Sequence, residues 1–170
     1  RRQPGSSFKP FIYSAALEAG FTPASIVLDA PVVYETPASE DGTEEEEDWR
    51  PVNDSRRFYG PTRLRDALAR SRNLVTIRLM RQMGISYTRE YVQRFGLPAE
   101  HIPADLTAAL GTAQLTPLEM ATGFAVFANG GSRVSSYLVE RVYAADGSIL
   151  KQAEPRQARS AVLHLLNPGH

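Results

Sequence analysis

The residues best suited to nucleophilic chemistry stand near the start of the sequence, where Ser6-Ser7-Phe8-Lys9 places a hydroxyl and an amine three residues apart. On a helix that spacing sets the two side chains one turn apart on a shared face. A serine hydroxyl is a weak nucleophile until a neighbour takes its proton. A lysine takes it only when burial or nearby cations bring its pKa down from about 10.4. Lys9 and Lys151 are the only lysines, and 17 of the 19 basic residues are arginines, which cannot act as bases at neutral pH. Gly5 leaves room for a substrate, and the positive end of a helix starting here favours negative charge developing at Ser6. The same residues also fit a second reading, an N-capping serine with a solvent-exposed lysine in the first turn. A further Ser-x-x-Lys, Ser148 to Lys151, follows an Asp-Gly turn on a predicted strand, where the pair shares no helical face; it reads as strand polar residues.

Ser71-Arg72-Asn73 is the one Ser-x-Asn of the sequence. A second hydroxyl there can pass a proton from a base to a leaving group, and an Asn amide can hold a substrate peptide bond through donor and acceptor together. Taken alone, the triplet also fits a helix-end serine followed by a capping Asn. His101, His164 and His170 are far apart, with no carboxylate at metal-ligand spacing, so neither metal nor cofactor is assigned. Gly130-Gly131 reads as a helix stop rather than a phosphate loop, and the Tyr and Phe residues at helical spacing read as core rather than as a base-stacking platform.

The first helix that holds these residues is limited by Pro10, which is tolerated only near a helix start. The apolar series Phe8, Phe11, Ile12, Ala15 and Ala19 then predicts a helix beginning close to Ser6 and ending at Gly20. A short helical turn is expected after Thr22-Pro23, extended chain from Ile26 to Val33, and ordered structure again at Trp49. Gly60-Pro61-Thr62 is expected to start a second helix that turns Leu64, Ala67 and Leu68 inward, with Ser71 on the same face. Leu74 to Met83, apolar nearly all round, predicts a buried helix stopped by Gly84. Tyr87, Tyr91, Val92 and Phe95 stripe another, closed by Gly96 and Pro98. Thr116-Pro117-Leu118-Glu119 matches a capping box, with Asn129-Gly130-Gly131 as the stop. After Val134 the period changes to that of two strands joined at Asp146-Gly147. The fold class expected is mixed α/β (α+β), mostly helical, with a little sheet at the C-terminal end.

The formal charge is zero, 19 basic against 19 acidic residues, which argues against a nucleic-acid partner. Absence of Cys excludes disulfides and thiol chemistry. No apolar run approaches the roughly 20 residues that span a bilayer, and no signal peptide is visible. Seven of the acids, Glu40, Asp41, Glu44 to Glu47 and Asp48, crowd one run, so the remainder has 19 basic against 12 acidic residues, a surplus of seven. That run, at about 36–48, is expected to be a solvated, mobile loop; binding of a cation or basic partner is the other reading. The chain opens on Arg1 rather than Met and is expected to be a piece of a longer polypeptide.

The sequence resembles the transpeptidase domain of class A penicillin-binding proteins, of the 1A type of Gram-negative bacteria. The resemblance is carried by Arg2-Gln3-Pro4-Gly5-Ser6-Ser7-Phe8-Lys9-Pro10-Phe11, by Trp49-Arg50-Pro51 with Asn53, and by Tyr59-Gly60-Pro61 leading through Leu64-Arg65-Asp66-Ala67-Leu68 to Ser71-Arg72-Asn73. It continues in Ala109-Leu110-Gly111, in Thr116 to Ala121 and in Phe127 to Gly131. It implies the serine-acyltransferase fold shared with β-lactamases, with Ser6 as acylated nucleophile, Lys9 as base, Ser71 as proton relay and Asn73 as the residue that binds the substrate amide. It further implies peptidoglycan stem peptides of lipid II-derived strands as substrates, β-lactam antibiotics as covalent inhibitors, and a place on the periplasmic face of the inner membrane. The family's Lys-Thr-Gly strand is not found: Lys9 precedes Pro10, Lys151 precedes Gln152, and no His precedes Thr-Gly or Ser-Gly. That strand is expected beyond position 170, in the remainder of the polypeptide or a second chain, and a glycosyltransferase domain and membrane anchor before position 1. A β-lactamase or D,D-carboxypeptidase of the same fold, and a non-catalytic β-lactam sensor, remain the competing readings.

Overall fold

The computed structural model describes residues 1–34, 48–153 and 159–160; the acidic run lies outside them except for Asp48. Helix α1, Lys9–Glu18, follows a single 3-10 turn at Gly5–Phe8, so helical chain begins where Pro10 requires. This helix is buried on two sides. Phe11, Ile12 and Ala15 enter one apolar cluster with Ile77, Met80, Tyr91, Val92 and Phe95, whereas Tyr13 and Ala16 enter another with Val27, Leu64, Ala67, Val75 and Leu79. Any side chain that α1 carries at its buried start must therefore enter the interior, whatever its polarity.

Helices α2 (Leu64–Ala69), α3 (Asn73–Met83) and α4 (Ile85–Gln93) supply most of these partners. Helix α3 buries Leu74, Val75, Ile77, Leu79 and Met80 but leaves Arg81 and Gln82 exposed, so it is less wholly enclosed than its sequence suggests. Gly84, at φ 94°, separates α3 from α4. Helix α5, Pro117–Ala128, has the expected capping box: Glu119 N–H donates to Thr116 Oγ1 at 3.1 Å, and Thr116 N–H donates to Glu119 Oε2 at 2.7 Å. None of the helices among the described residues is long and apolar enough to cross a membrane.

Three expectations are corrected. Gly60–Arg63 is a strand, β2, paired antiparallel with β1 (Ile26–Asp29) from Ile26 opposite Arg63 to Asp29 opposite Gly60. Pro61 lacks an N–H but is compatible with the edge of a two-stranded ribbon, and helix α2 starts only at Leu64. The chain after Pro23 forms a turn rather than a helix; its carbonyls at Pro23 and Ser25 accept the first N–H groups of α2, from Arg65 and Leu64. Sheet is therefore not confined to the C-terminal end. There, β3 (Ser132–Arg133) pairs with β6 (Arg159–Ser160), and β4 (Arg141–Tyr143) pairs with β5 (Ile149–Gln152). Within the turn of that second hairpin, Ser148 Oγ donates to Asp146 Oδ1 at 2.6 Å, which ties up the hydroxyl of the second Ser-x-x-Lys.

The turn that bears Ser6 is held from behind by backbone. Arg2 and Leu115 exchange N–H···O bonds of 2.9 and 3.1 Å, and Gly5 N–H donates to Gly111 O at 3.1 Å. Gly111 adopts φ 75°, and a Cβ built there would stand 2.0 Å from the Gly5 carbonyl oxygen. Gly111→Ala thus combines left-handed strain with a backbone clash and is expected to lower stability by roughly 3 kcal/mol. Gly5→Ala, with φ 58° but nothing within 4 Å of the new methyl, is expected to cost about 1 kcal/mol. Urea unfolding of both variants tests the distinction, which equal losses would refute.

Candidate active site

Lys9 is the first residue of α1 and is 1% exposed. Its ammonium donates three hydrogen bonds, to Ser71 O at 2.8 Å, Ser71 Oγ at 2.9 Å and Asn73 Oδ1 at 2.7 Å. Three N–H groups thus meet three acceptors, none of them charged. No carboxylate lies within ion-pair distance of Lys9 among the described residues. Burial without a counter-ion disfavours the charged form and lowers the Lys9 pKa from 10.5 to about 8. The structure therefore takes this lysine off the surface, against the reading of it as an exposed first-turn residue.

The end of α2 presents Ser71 to this amine. Arg72 N–H donates to Ala67 O and Ser71 N–H to Leu68 O, the paired bonds of a Schellman helix ending. The residue at its left-handed position is usually Gly; here it is Ser71, at φ 53°. Ser71 is consequently not on the inward helical face of α2, as its spacing from Leu64 predicts. It lies beyond the helix, in a reversed turn that directs both its carbonyl and its hydroxyl to Lys9. Backbone strain of this kind at a non-glycine residue concentrates at functional sites.

Asn73 opens α3 and accepts from Lys9 through Oδ1 while its Nδ2 donates to Val52 O at 2.9 Å. An amide has two N–H groups and two oxygen lone pairs, so one of each remains for a bound group. Asn53, quoted above only within the sequence resemblance, proves to be what seats this helix. Its Oδ1 accepts from the N–H groups of Asn73 (2.9 Å) and Leu74 (3.3 Å), and its Nδ2 donates to Asp29 Oδ1 (2.7 Å) and Arg57 O (2.8 Å). The side chain is 2% exposed and its hydrogen-bonding capacity is filled. It thus caps α3 from 20 residues upstream. The one hint in sequence is an isolated Asn in a short Pro- and Asp-flanked segment, too common a pattern to single it out.

Ser6 lies in the 3-10 turn and is exposed. It lines a cleft of about 350 Å³ together with Asn53, Asp54, Ser55, Arg70, Ser71, Arg72 and Asn73. The neighbouring Ser7 hydroxyl donates to Pro4 O at 2.7 Å and is held in the turn. Of the two adjacent serines, Ser6 is the one that faces the cleft. The four sequence-predicted residues are therefore gathered: Lys9, Ser71 and Asn73 in direct contact, and Ser6 along the same cleft wall as Ser71 and Asn73. Among the described residues no cluster of His, Asp and Glu is arranged to hold a metal.

The chain matches the family model for the penicillin binding protein transpeptidase domain over residues 1–163. It is 49% identical over 157 residues to penicillin-binding protein 1A of Pseudomonas aeruginosa and 41% identical over 167 residues to that of Neisseria meningitidis. Those alignments cover 91% and 98% of this chain but 18% and 20% of the relatives, so the chain spans about a fifth of their length. Among solved structures, penicillin-binding protein 1A from Haemophilus influenzae superposes with a TM-score of 0.81 at 41% identity, covering 89% of this chain and 22% of that one. The imipenem acyl-enzyme complex of penicillin-binding protein A from M. tuberculosis superposes with a TM-score of 0.78 at 26% identity, covering 94% and 40%.

The strain at Ser71 has a measurable consequence. Ser71→Ala and Ser71→Gly remove the same hydroxyl from Lys9, but glycine tolerates the left-handed conformation and alanine does not. Ser71→Gly is expected to be about 1 kcal/mol more stable than Ser71→Ala. Denaturant midpoints compare them directly; an alanine variant as stable as the glycine one would show that the turn is unstrained.

Proposed function

The chain belongs to the penicillin-binding protein transpeptidase domain family, and we propose that it carries the acylating part of a peptidoglycan D,D-transpeptidase site in which Ser6 is the nucleophile. The observation that supports this most directly is the buried, uncompensated Lys9 amine, with a pKa of about 8, held by Ser71 and Asn73 beside the Ser6 cleft.

The chemistry follows from the hydrogen bonds. In its charged state Lys9 donates to three acceptors. When neutral, it keeps two donors for Ser71 O and Asn73 Oδ1, and its lone pair accepts from the Ser71 hydroxyl, which reverses direction. The amine is therefore satisfied in both protonation states, a condition for a base that must cycle between them. With that lone pair facing Ser71, Lys9 takes the Ser6 proton through the Ser71 hydroxyl, which gives its own proton to the amine and receives that of Ser6 as Ser6 Oγ bonds to the carbonyl carbon of the penultimate D-alanine. The C–N bond to the terminal D-alanine then breaks, and its nitrogen receives the proton from Lys9 through Ser71. An ester of Ser6 remains, and the amine of a neighbouring stem peptide attacks it with the same proton path reversed. The free donor and lone pair of Asn73 hold the peptide bond of the acyl donor.

A β-lactam carries its reactive amide in a ring, so its leaving group stays attached and Ser6 stays acylated. The imipenem acyl-enzyme of the mycobacterial neighbour supports this reading. We place the Lys-Thr-Gly strand, which would bind the terminal carboxylate and complete the oxyanion site, in the remainder of the polypeptide or a second chain. The glycosyltransferase domain and membrane anchor belong outside these residues as well, with residues 1–170 part of the transpeptidase domain on the periplasmic face of the bacterial inner membrane.

In the full-length gene product, a fluorescent penicillin is expected to label Ser6 alone, as read by peptide mapping; label on Ser7 would overturn the assignment. Ser71→Ala is expected to slow labelling by about 100-fold or more. Because only the neutral amine is a base, the labelling rate should rise about tenfold per pH unit on the acid side and level off above about pH 8. A flat profile would remove Lys9 from the mechanism.

A further inference from the structure

The Schellman turn that directs Ser71 toward Lys9 places an arginine on either side of it, and both Arg70 and Arg72 line the nucleophile cleft. The same two residues also line an adjoining cleft of about 400 Å³, together with Tyr59, Arg63 and Asp66. The two hollows thus share the guanidinium-bearing residues Arg70 and Arg72 in their walls, and Asp54 is the one carboxylate lining the nucleophile cleft. The adjoining cleft holds three cations against the single carboxylate of Asp66. Neither Arg63 nor Arg70 is in an ion pair among the described residues.

Arg72 is the informative member. It is 8% exposed, and its Nε is buried with no hydrogen-bond acceptor. The nearest carboxylate oxygen, Asp29 Oδ2, stands 3.9 Å away, beyond hydrogen-bond reach, and is itself unpartnered. The guanidinium lies 3.3 Å from the centroid of the Tyr59 ring, a stacking contact that fixes its plane. Tyr59 is in turn tied by its hydroxyl to Ser55, which lines the nucleophile cleft. Arg72 is thus anchored by the Tyr59 ring and the buried Asp29 carboxylate on the wall of both clefts, and the exposed, unpaired guanidinium groups of Arg63 and Arg70 beside it are the ones free to receive an anion.

We infer that this surface is a subsite for a free carboxylate on the acyl-donor peptide, on a residue upstream of the bond that Ser6 attacks. The inference rests on the reading of the cleft as a peptide-acylating site. A peptide substrate offers carboxylates as its anions, and a planar guanidinium fork matches a carboxylate through two parallel hydrogen bonds. The terminal carboxylate of the leaving D-alanine is reserved for the Lys-Thr-Gly strand, so the carboxylate met by Arg63, Arg70 and Arg72 belongs to the acyl side. The site therefore selects donor peptides by charge, away from the reacting atoms.

The test uses the full-length gene product and two synthetic stem peptides that differ only in a free carboxylate or its carboxamide on a residue upstream of D-Ala-D-Ala. Release of D-alanine is expected to show a kcat/KM about tenfold higher for the carboxylate peptide, expressed in KM. That ratio should fall toward one in Arg70→Gln and in Arg63→Gln, both exposed positions. It should fall further in Arg72→Gln if that variant folds. A ratio compares two ligands on one protein, so a general loss of activity does not mimic it. A wild-type ratio near one, or one that survives all three substitutions, overturns the subsite. Labelling of wild-type Ser6 by fluorescent penicillin, run alongside, reports separately on the underlying assignment: its loss refutes the acylating site itself.

Discussion

An uncompensated ammonium group inside an apolar helix packing is the constraint on which this structure turns. Helix α1 is enclosed by apolar residues on two sides, and Lys9, at its first position, is carried into the interior with it. An unsatisfied ammonium there would be prohibitively costly, so three acceptors must be delivered to one point. All three come from the junction of α2 and α3, two from Ser71 in the turn and one from Asn73, the first residue of α3. The junction of those helices cannot move without exposing the amine to an empty, apolar neighbourhood. Burial thus performs two functions at once. It depresses the basicity of Lys9 into a useful range, and it locks a second hydroxyl and an amide against the base.

The backbone conformations this requires are the less favourable ones. Ser71 occupies the left-handed position of a Schellman ending where glycine would be at ease. The sequence keeps a residue with a hydroxyl there and accepts the strain, as is usual when geometry serves chemistry rather than folding. Behind the nucleophile the opposite choice is made. Gly111 approaches the Gly5 backbone so closely that no side chain fits, which lets the loop before α5 brace the Ser6 turn directly. One wall of the site is thus strained and chemically armed, while the other is bare and rigid.

What the sequence made legible follows the range of the interaction involved. The helices of the core announce themselves through local periodicity, and the capping box of α5 is complete within four residues. Ser6 and Lys9, close in sequence, were readable as a pair. The ties from Lys9 to Ser71 and Asn73 span 62 and 64 residues, and no spacing rule encodes them; only the residue types and the family resemblance pointed there. The β1–β2 ribbon was hidden because Pro61 reads locally as a helix start, while its pairing with Leu28 is a tertiary fact. The spacing of Ser71 from Leu64 points to a helical face because its departure from the helix depends on a positive φ, which serine rarely takes and sequence does not display. The organising role of Asn53 is invisible in sequence for a similar reason, since its four partners lie on three separate segments.

Asn53 also explains why the proton chemistry stays local. A chain of hydrogen bonds runs from the Asp29 carboxylate through Asn53 to the start of α3, and from Asn73 to Lys9. It resembles a relay, but its middle members are amides, which neither gain nor lose protons in this pH range. Such a chain transmits position and not charge. The groups in it that can exchange a proton with the cleft are therefore Lys9 and the Ser71 hydroxyl, side by side at 2.9 Å. Asp29, 0% exposed and facing Arg72 rather than Lys9, anchors the far end without supplying a counter-ion that would raise the lysine's basicity again. Holding the carboxylate apart from the amine, with the Asn53 and Asn73 amides between them, gives the site a rigid frame and leaves Lys9 with a pKa of about 8, mostly charged at neutral pH but with a usable neutral fraction that becomes dominant above that value.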